Sequence, residues 1–172
     1  VPRADAQRNR ARLLEVAEAI FAERGTTVAT EEIARAAGVG IGTLFRHFPT
    51  KEALLREVYL ARLRRLTEDA AGSMTLAAFL RHAVEQSRVK NAFAEALTAA
   101  GVDPLGAAAE IHRELLTALE TMLHRDQAAG TVRPELRVGD IIGLLAGTSR
   151  AVEVAPDSRD RILDVVLSGL RP

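Results

Sequence analysis

The sequence predicts an all-α protein of about nine helices, and three observations carry that expectation. The 172 residues are 48% hydrophobic, yet only five Phe and one Tyr are aromatic and Trp is absent, so the core has to be built of Ala, Leu, Val and Ile. Ala and Leu are among the strongest helix formers. Along most of the chain, apolar residues recur every three or four positions, the period of a helix with one buried face. Most glycines and prolines fall between those stretches, where they act as stops.

Leu13, Leu14, Ala17, Ile20 and Phe21 form the apolar stripe of the first helix, with Arg8, Arg12, Glu15 and Glu18 on other faces and Gly25 as its stop. Thr30 reads as the N-cap of a second, short helix to Ala37, because Glu31 and Glu32 follow in the first turn, where the helix dipole favours acids. Gly38 stands at the C′ position, Val39 can plug the corner, and a third helix starts near Gly40 or Ile41. Pro49 breaks that helix, and Thr50 caps the next, which runs amphipathically from about Lys51 to Ala71 and ends at Gly72 and Ser73. Leu76, Phe79, Leu80, Ala83 and Val84 mark a fifth helix, and Val89, Phe93 and Leu97 carry its spacing to Gly101. "GVDPLG", residues 101 to 106, reads as a turn; Ile111, Leu115, Leu119, Met122 and Leu123 then make another stripe, stopped by Gly130. Gly139, Gly143 and Gly147 line up a strip nearly free of side chains, flanked by Ile141, Ile142, Leu144 and Leu145. After Pro156 and the cap candidate Asp157, Ile162, Val165, Val166 and Leu170 form the last apolar face.

The stretch "GVGIGTLFRHFPTKEAL", residues 38 to 54, needs a particular explanation, since each glycine inside a helix costs about 1 kcal/mol relative to alanine. A helix, a short glycine turn and a second short helix form a helix-turn-helix, whose second helix lies in the DNA major groove. Gly38 then makes the turn, while Gly40 and Gly42 let bare backbone approach a phosphate or base edge. Thr43 offers a hydroxyl to a phosphate or its methyl to thymine. Leu44 and Phe48 belong to the buried face; Phe45, Arg46 and His47 are left facing outward, and Lys51 opens the next helix beside free N–H groups that attract phosphate.

Composition excludes several other functions. Without cysteine there is no disulfide, thiolate metal site or cysteine nucleophile. No apolar run approaches the roughly 18 residues of a membrane span, and the Arg-rich start lacks a secretory apolar block, so a cytoplasmic location is expected. Net charge is zero, but residues 1 to 66 hold 12 Lys or Arg against 8 Asp or Glu, and residues 67 to 172 hold 11 against 15. A basic first third suits a polyanion. His82, His112 and His124 are scattered without a hydrolase, metalloprotease or phosphate-loop pattern, so no enzyme activity, cofactor or metal is expected.

"TEEIARAAGVGIGTLFRHFPTKEALLREV", residues 30 to 58, with the preceding "RARLLEVAEAIFAERG", resembles the DNA-binding domain of the tetracycline-repressor (TetR) family of bacterial transcriptional regulators. The resemblance implies a DNA-binding domain at residues 1–50 and a helical ligand-binding and dimerisation body at 51–172 that begins with a connecting helix, 51–71. It places Thr30, Thr43, His47 and Lys51 at positions that commonly contact DNA, with Gly42 allowing close approach. Phe45 stands where the family usually has tyrosine, so the resemblance implies one lost phosphate hydrogen bond there, with stacking on a sugar or a thymine-methyl contact left open; Gly40 stands where a small hydroxyl residue is frequent, which puts another phosphate contact in question. Operator affinity is then expected to lean on Arg46 and on Arg3, Arg8 and Arg10. The implied function is a transcriptional regulator, expected to repress, that binds a pseudo-palindromic operator as a homodimer and is released by a small-molecule effector. The alternative is a ligand-independent dimeric DNA-binding or architectural protein. An effector cavity is expected around Phe79, His82, Arg88, Asn91, Phe93, Ile111, His112, Leu115, Leu119 and Met122. The dimer interface is expected at Gly139, Gly143, Leu144, Gly147, Ile162, Val165 and Val166, with packing inside one chain as the other use of that glycine strip.

Overall fold

A computed structural model describes the backbone of residues 2–172 and the side chains from Asp5 onward, so the side chain of Arg3 lies outside the described residues. Among the described residues nine α-helices follow in order: α1 (Pro2–Arg24), α2 (Thr30–Ala36), α3 (Ile41–His47), α4 (Lys51–Ala71), α5 (Leu76–Ala99), α6 (Pro104–Ala107), α7 (Ala109–Ala128), α8 (Val138–Val154) and α9 (Arg159–Gly169). No strand occurs among the described residues. The helices gather into two compact units, residues 1–62 with 89–107, and residues 63–88 with 108–172.

The first unit is held by the predicted stripe of α1. Leu13, Ala17 and Phe21 are buried with Ile33, Ala34, Leu44, Phe48, Leu54 and Val58. Phe93, on the second half of α5, meets Phe21 edge-on with ring centroids 6.3 Å apart. Two ion pairs join α1 to α4: Arg10 Nη2 donates to Glu57 Oε2 at 2.6 Å, and Arg62 Nη1 donates to Glu18 Oε1 at 2.7 Å. The second unit has its own core of Leu66, Leu76, Phe79, Leu80, Leu119, Met122, Leu123 and Ile141, closed by Val132 and Leu170.

Three local expectations are corrected. Thr30 is the first residue of α2 rather than its cap: Ala29 holds the N-cap position, and its carbonyl accepts Glu32 N–H at 3.2 Å. "GVDPLG" is more than a turn, because the Asp103 carboxylate accepts Leu105 N–H at 3.0 Å and Pro104 takes the first helical position, where its missing N–H costs nothing; together they close the single turn α6. Asp157 does not cap α9; it lies in a 3₁₀ turn, Pro156–Ser158, and Ser158 holds the N-cap position.

A cap that periodicity cannot show comes from another helix. The buried Asp126 of α7 accepts Leu76 N–H at 2.7 Å, satisfying an orphan donor at the start of α5, and also accepts Arg125 Nε–H at 3.1 Å.

Candidate nucleic-acid interface

Each turn of the glycine-rich stretch has a local cause. The chain leaves α2 through Gly38 at φ +70°, a conformation a Cβ disfavours, and Val39 N–H reaches back to Ala34 C=O at 3.0 Å to close the helix end. Gly40 is the extended N-cap of α3, its carbonyl accepting Thr43 N–H at 2.9 Å and Leu44 N–H at 3.2 Å. Leu44 and Phe48 are fully buried and fix the roll of α3. The outer face is thereby set: Ile41, Gly42, Phe45 and Arg46 are exposed, while Thr43 and His47 are half-buried at its margin. Nothing lies within 4 Å of where a Cβ would stand on Gly40 or Gly42, so packing within the chain does not require either glycine. The bare backbone faces outward.

After Pro49, the Thr50 hydroxyl caps α4 by accepting Ala53 N–H at 3.1 Å, which leaves Lys51 half-buried in the first turn. The neighbouring Glu52 carboxyl is held below its ordinary range, first by its own backbone N–H, then by the Thr50 hydroxyl and the Lys51 charge. That contribution to the helix start is present at neutral pH and disappears in acid as the pH falls through the lowered value.

Two expected DNA contacts are engaged otherwise. Thr30 is buried, and its hydroxyl donates to Glu31 at 3.4 Å, leaving little surface for a phosphate. Besides pairing with Glu57, Arg10 lays its guanidinium 5.1 Å from the centre of the Phe48 ring, whose other neighbour is the His47 ring at 6.3 Å. Arg10 thus holds the end of α3 against α1 and α4. Arg8 pairs with Asp5 one turn earlier and remains exposed. Arg12 was missed as part of the turn: its guanidinium lies 3.7 Å from where a Gly38 Cβ would stand.

The residues expected around an effector fall in both units. Phe79, Leu119 and Met122 are core, with Leu115 packed against them, and Ile111 is buried nearby in the chain. Phe93 belongs to the other unit. His82 Nε2 stands 3.1 Å from Asp69 Oδ2, both partly exposed, while His112 and Asn91 are half-buried. Arg88 lines a cleft of about 440 Å³ with Val84, Glu85, Ser87, Val152, Glu153, Pro156 and Arg159, and Met122 lines a smaller one of about 150 Å³. No group of three or more His, Cys, Asp or Glu suited to a metal occurs among the described residues.

On α8, positions 139, 143 and 147 are all exposed, and a Cβ on any of these glycines would meet nothing within 4 Å. Ile142 and Val154 of α8 and Val165 of α9 are exposed beside half-buried Ile162 and Val166, whereas Leu144 leans on the core.

A buried-anchored α2, a glycine corner and a short helix with an outward face define a helix-turn-helix DNA-binding protein. Residues 13–58 match the family profile "Bacterial regulatory proteins, tetR family", and residues 71–172 match "Transcriptional regulator SbtR-like, C-terminal domain". A TetR transcription regulatory protein from Mycobacterium vanbaalenii is 38% identical with a TM-score of 0.82, the match covering 100% of both chains. A TetR transcriptional regulator from Streptomyces coelicolor is 34% identical with a TM-score of 0.69 over 95% of this chain and 98% of that one. An HTH-type transcriptional regulator of Staphylococcus aureus is 43% identical over 53 residues, which span 30% of this chain and 29% of that protein. The chain belongs to the TetR family of bacterial transcriptional regulators. These relatives are regulators, not enzymes, and no described helix is long and apolar enough to cross a membrane.

Proposed function

We propose that this chain is a repressor that binds a pseudo-palindromic operator as a homodimer and leaves it when a small molecule binds the body. Residues 1–50 form the reading head and residues 51–172 the sensing and pairing body. The observation that supports DNA reading best is the outer face of α3, where Gly42 and Arg46 are exposed while Leu44 and Phe48 anchor the helix from behind. Gly40, Gly42, Thr43, Phe45, Arg46, His47 and Lys51 form the contact surface. Arg46 and Lys51 supply charge for phosphates, and Thr43 and Phe45 contact bases or sugars. One seven-residue helix binds weakly alone, and a two-fold pair presents two of them to half-sites about 34 to 36 Å apart. The open glycine strip of α8 with the exposed Val165 of α9 favours pairing through these helices.

For release, the effector has to bind one conformation of the body better than the other; equal affinity shifts nothing. The cleft beside Arg88 is within the size range of small-molecule sites. The burial of Phe79, Leu119 and Met122 in the core of the second unit supports a second reading, a dimer that binds DNA without an effector. Selection of bound duplexes from a random pool, followed by a small-molecule screen for release, separates the two. Recovery of a two-fold sequence supports the operator, and release by a compound supports the switch. Failure to enrich any DNA overturns both readings.

A further inference from the structure

Resting on the proposed DNA reading, we infer that Ile41 and Phe45 are specificity residues that read thymine methyl groups in each operator half-site. Both are large apolar side chains left in water, 37% and 40% exposed, although the chain buries its other four phenylalanines almost completely. They stand four residues apart on one helix and so form one ridge, beside the exposed Gly42 and Arg46. No hydroxyl or amide on that ridge can answer the donors and acceptors of a base edge, and Phe45 cannot donate to a phosphate.

Among the groups that base pairs show in the major groove, the thymine C5-methyl is the apolar one. Arg46 beside the ridge and Lys51 at the start of α4 supply the positive charge that holds such a face against a polyanion. The bare Gly42 removes the side chain that would hold the ridge away from the base edges. Helical rise separates positions 41 and 45 by about 6 Å, and base pairs are about 3.4 Å apart, so the two side chains address methyls about two base steps apart.

The test replaces thymine by deoxyuridine, one position at a time, in a duplex selected from the random pool. Uracil keeps the pairing and polar edge of thymine and lacks only the methyl. Affinity is expected to fall about fourfold at two positions in each half-site, the worth of burying one methyl group. Phe45→Ala should abolish the thymine-over-uracil preference at one of them and Ile41→Ala at the other. Both side chains are exposed, and circular dichroism with thermal melting establishes that each variant is folded. Equal binding of thymine and uracil duplexes at every position overturns the inference while leaving DNA binding intact, as does a methyl preference that survives both substitutions. Failure to select any duplex brings down the underlying reading and this inference with it.

Discussion

Arg10 stands three residues before Leu13, on the line continued by Ala17 and Phe21, so helical spacing places it beside the buried stripe of α1. Charge type suggests a phosphate contact, and the structure places the partly exposed guanidinium beside Glu57 and Phe48. Arg10→Ala is expected to weaken operator binding while leaving its salt dependence unchanged, because no phosphate loses a partner. Arg46→Ala should weaken binding and also shallow the slope of log affinity against log salt by about 0.9 per subunit. Titrations at several salt concentrations, with helicity monitored, check both; a slope change in Arg10→Ala would make it a phosphate contact after all. A second residue-scale prediction concerns Tyr59, the single tyrosine of the chain, whose burial raises its pKa above the ordinary 10.0. The raised value means the neutral phenol is favoured in the fold. Stability is therefore full below pH 10.0 and declines as the pH rises through the raised value. Tyrosinate absorbance should appear at higher pH in the folded chain than in denaturant, and Tyr59→Phe should lessen the alkaline loss of stability.

At the scale of elements, the helices were legible because amphipathic spacing and glycine stops are local signals. Gly25, Gly38 and Gly130 end helices at positive φ, as their positions suggested. What was not legible depends on partners distant in sequence. Thr30 followed by two acids has the pattern of a cap, yet Ala29 takes that place, and the start of α5 is capped from α7 by Asp126, fifty residues away. Removing that carboxylate leaves Leu76 N–H buried without an acceptor. Asp126→Ala is expected to cost about 1 to 3 kcal/mol, measured by chemical denaturation. Replacement by Asn keeps one acceptor oxygen and should recover part of the loss. The candidate site divides in the same way: the outward face of α3 could be read from Leu44 and Phe48, whereas the burial of Phe79 and the place of Arg88 in a cleft could not, because a helical stripe looks alike whether it lines a cavity or fills a core.

For the molecule as a whole, the division of charge agrees with where the proposed reading helix lies, since the basic first 66 residues contain all of α3 and every arginine of α1 and α4. Pairing is where the whole-molecule reading is most exposed to test. A Cβ on the exposed Gly143 meets nothing within 4 Å in its own chain, so in Gly143→Leu the monomer should keep its fold and thermal midpoint. A close helix approach across a two-fold axis has no room for the added side chain. Light scattering at micromolar concentration should then show a dimer for the native sequence and a monomer for the variant, which should also lose most of its operator affinity. A native chain that is already monomeric would remove the α8 pairing surface from the proposal.

The open strip on α8 also bears on gene dosage. If α8 and α9 pair two subunits as proposed, assembly depends on how many copies the cell holds. Below the subunit dissociation constant, promoter occupancy then rises with the square of protein abundance, and a modest change in expression turns the controlled gene more sharply than a preassembled regulator would.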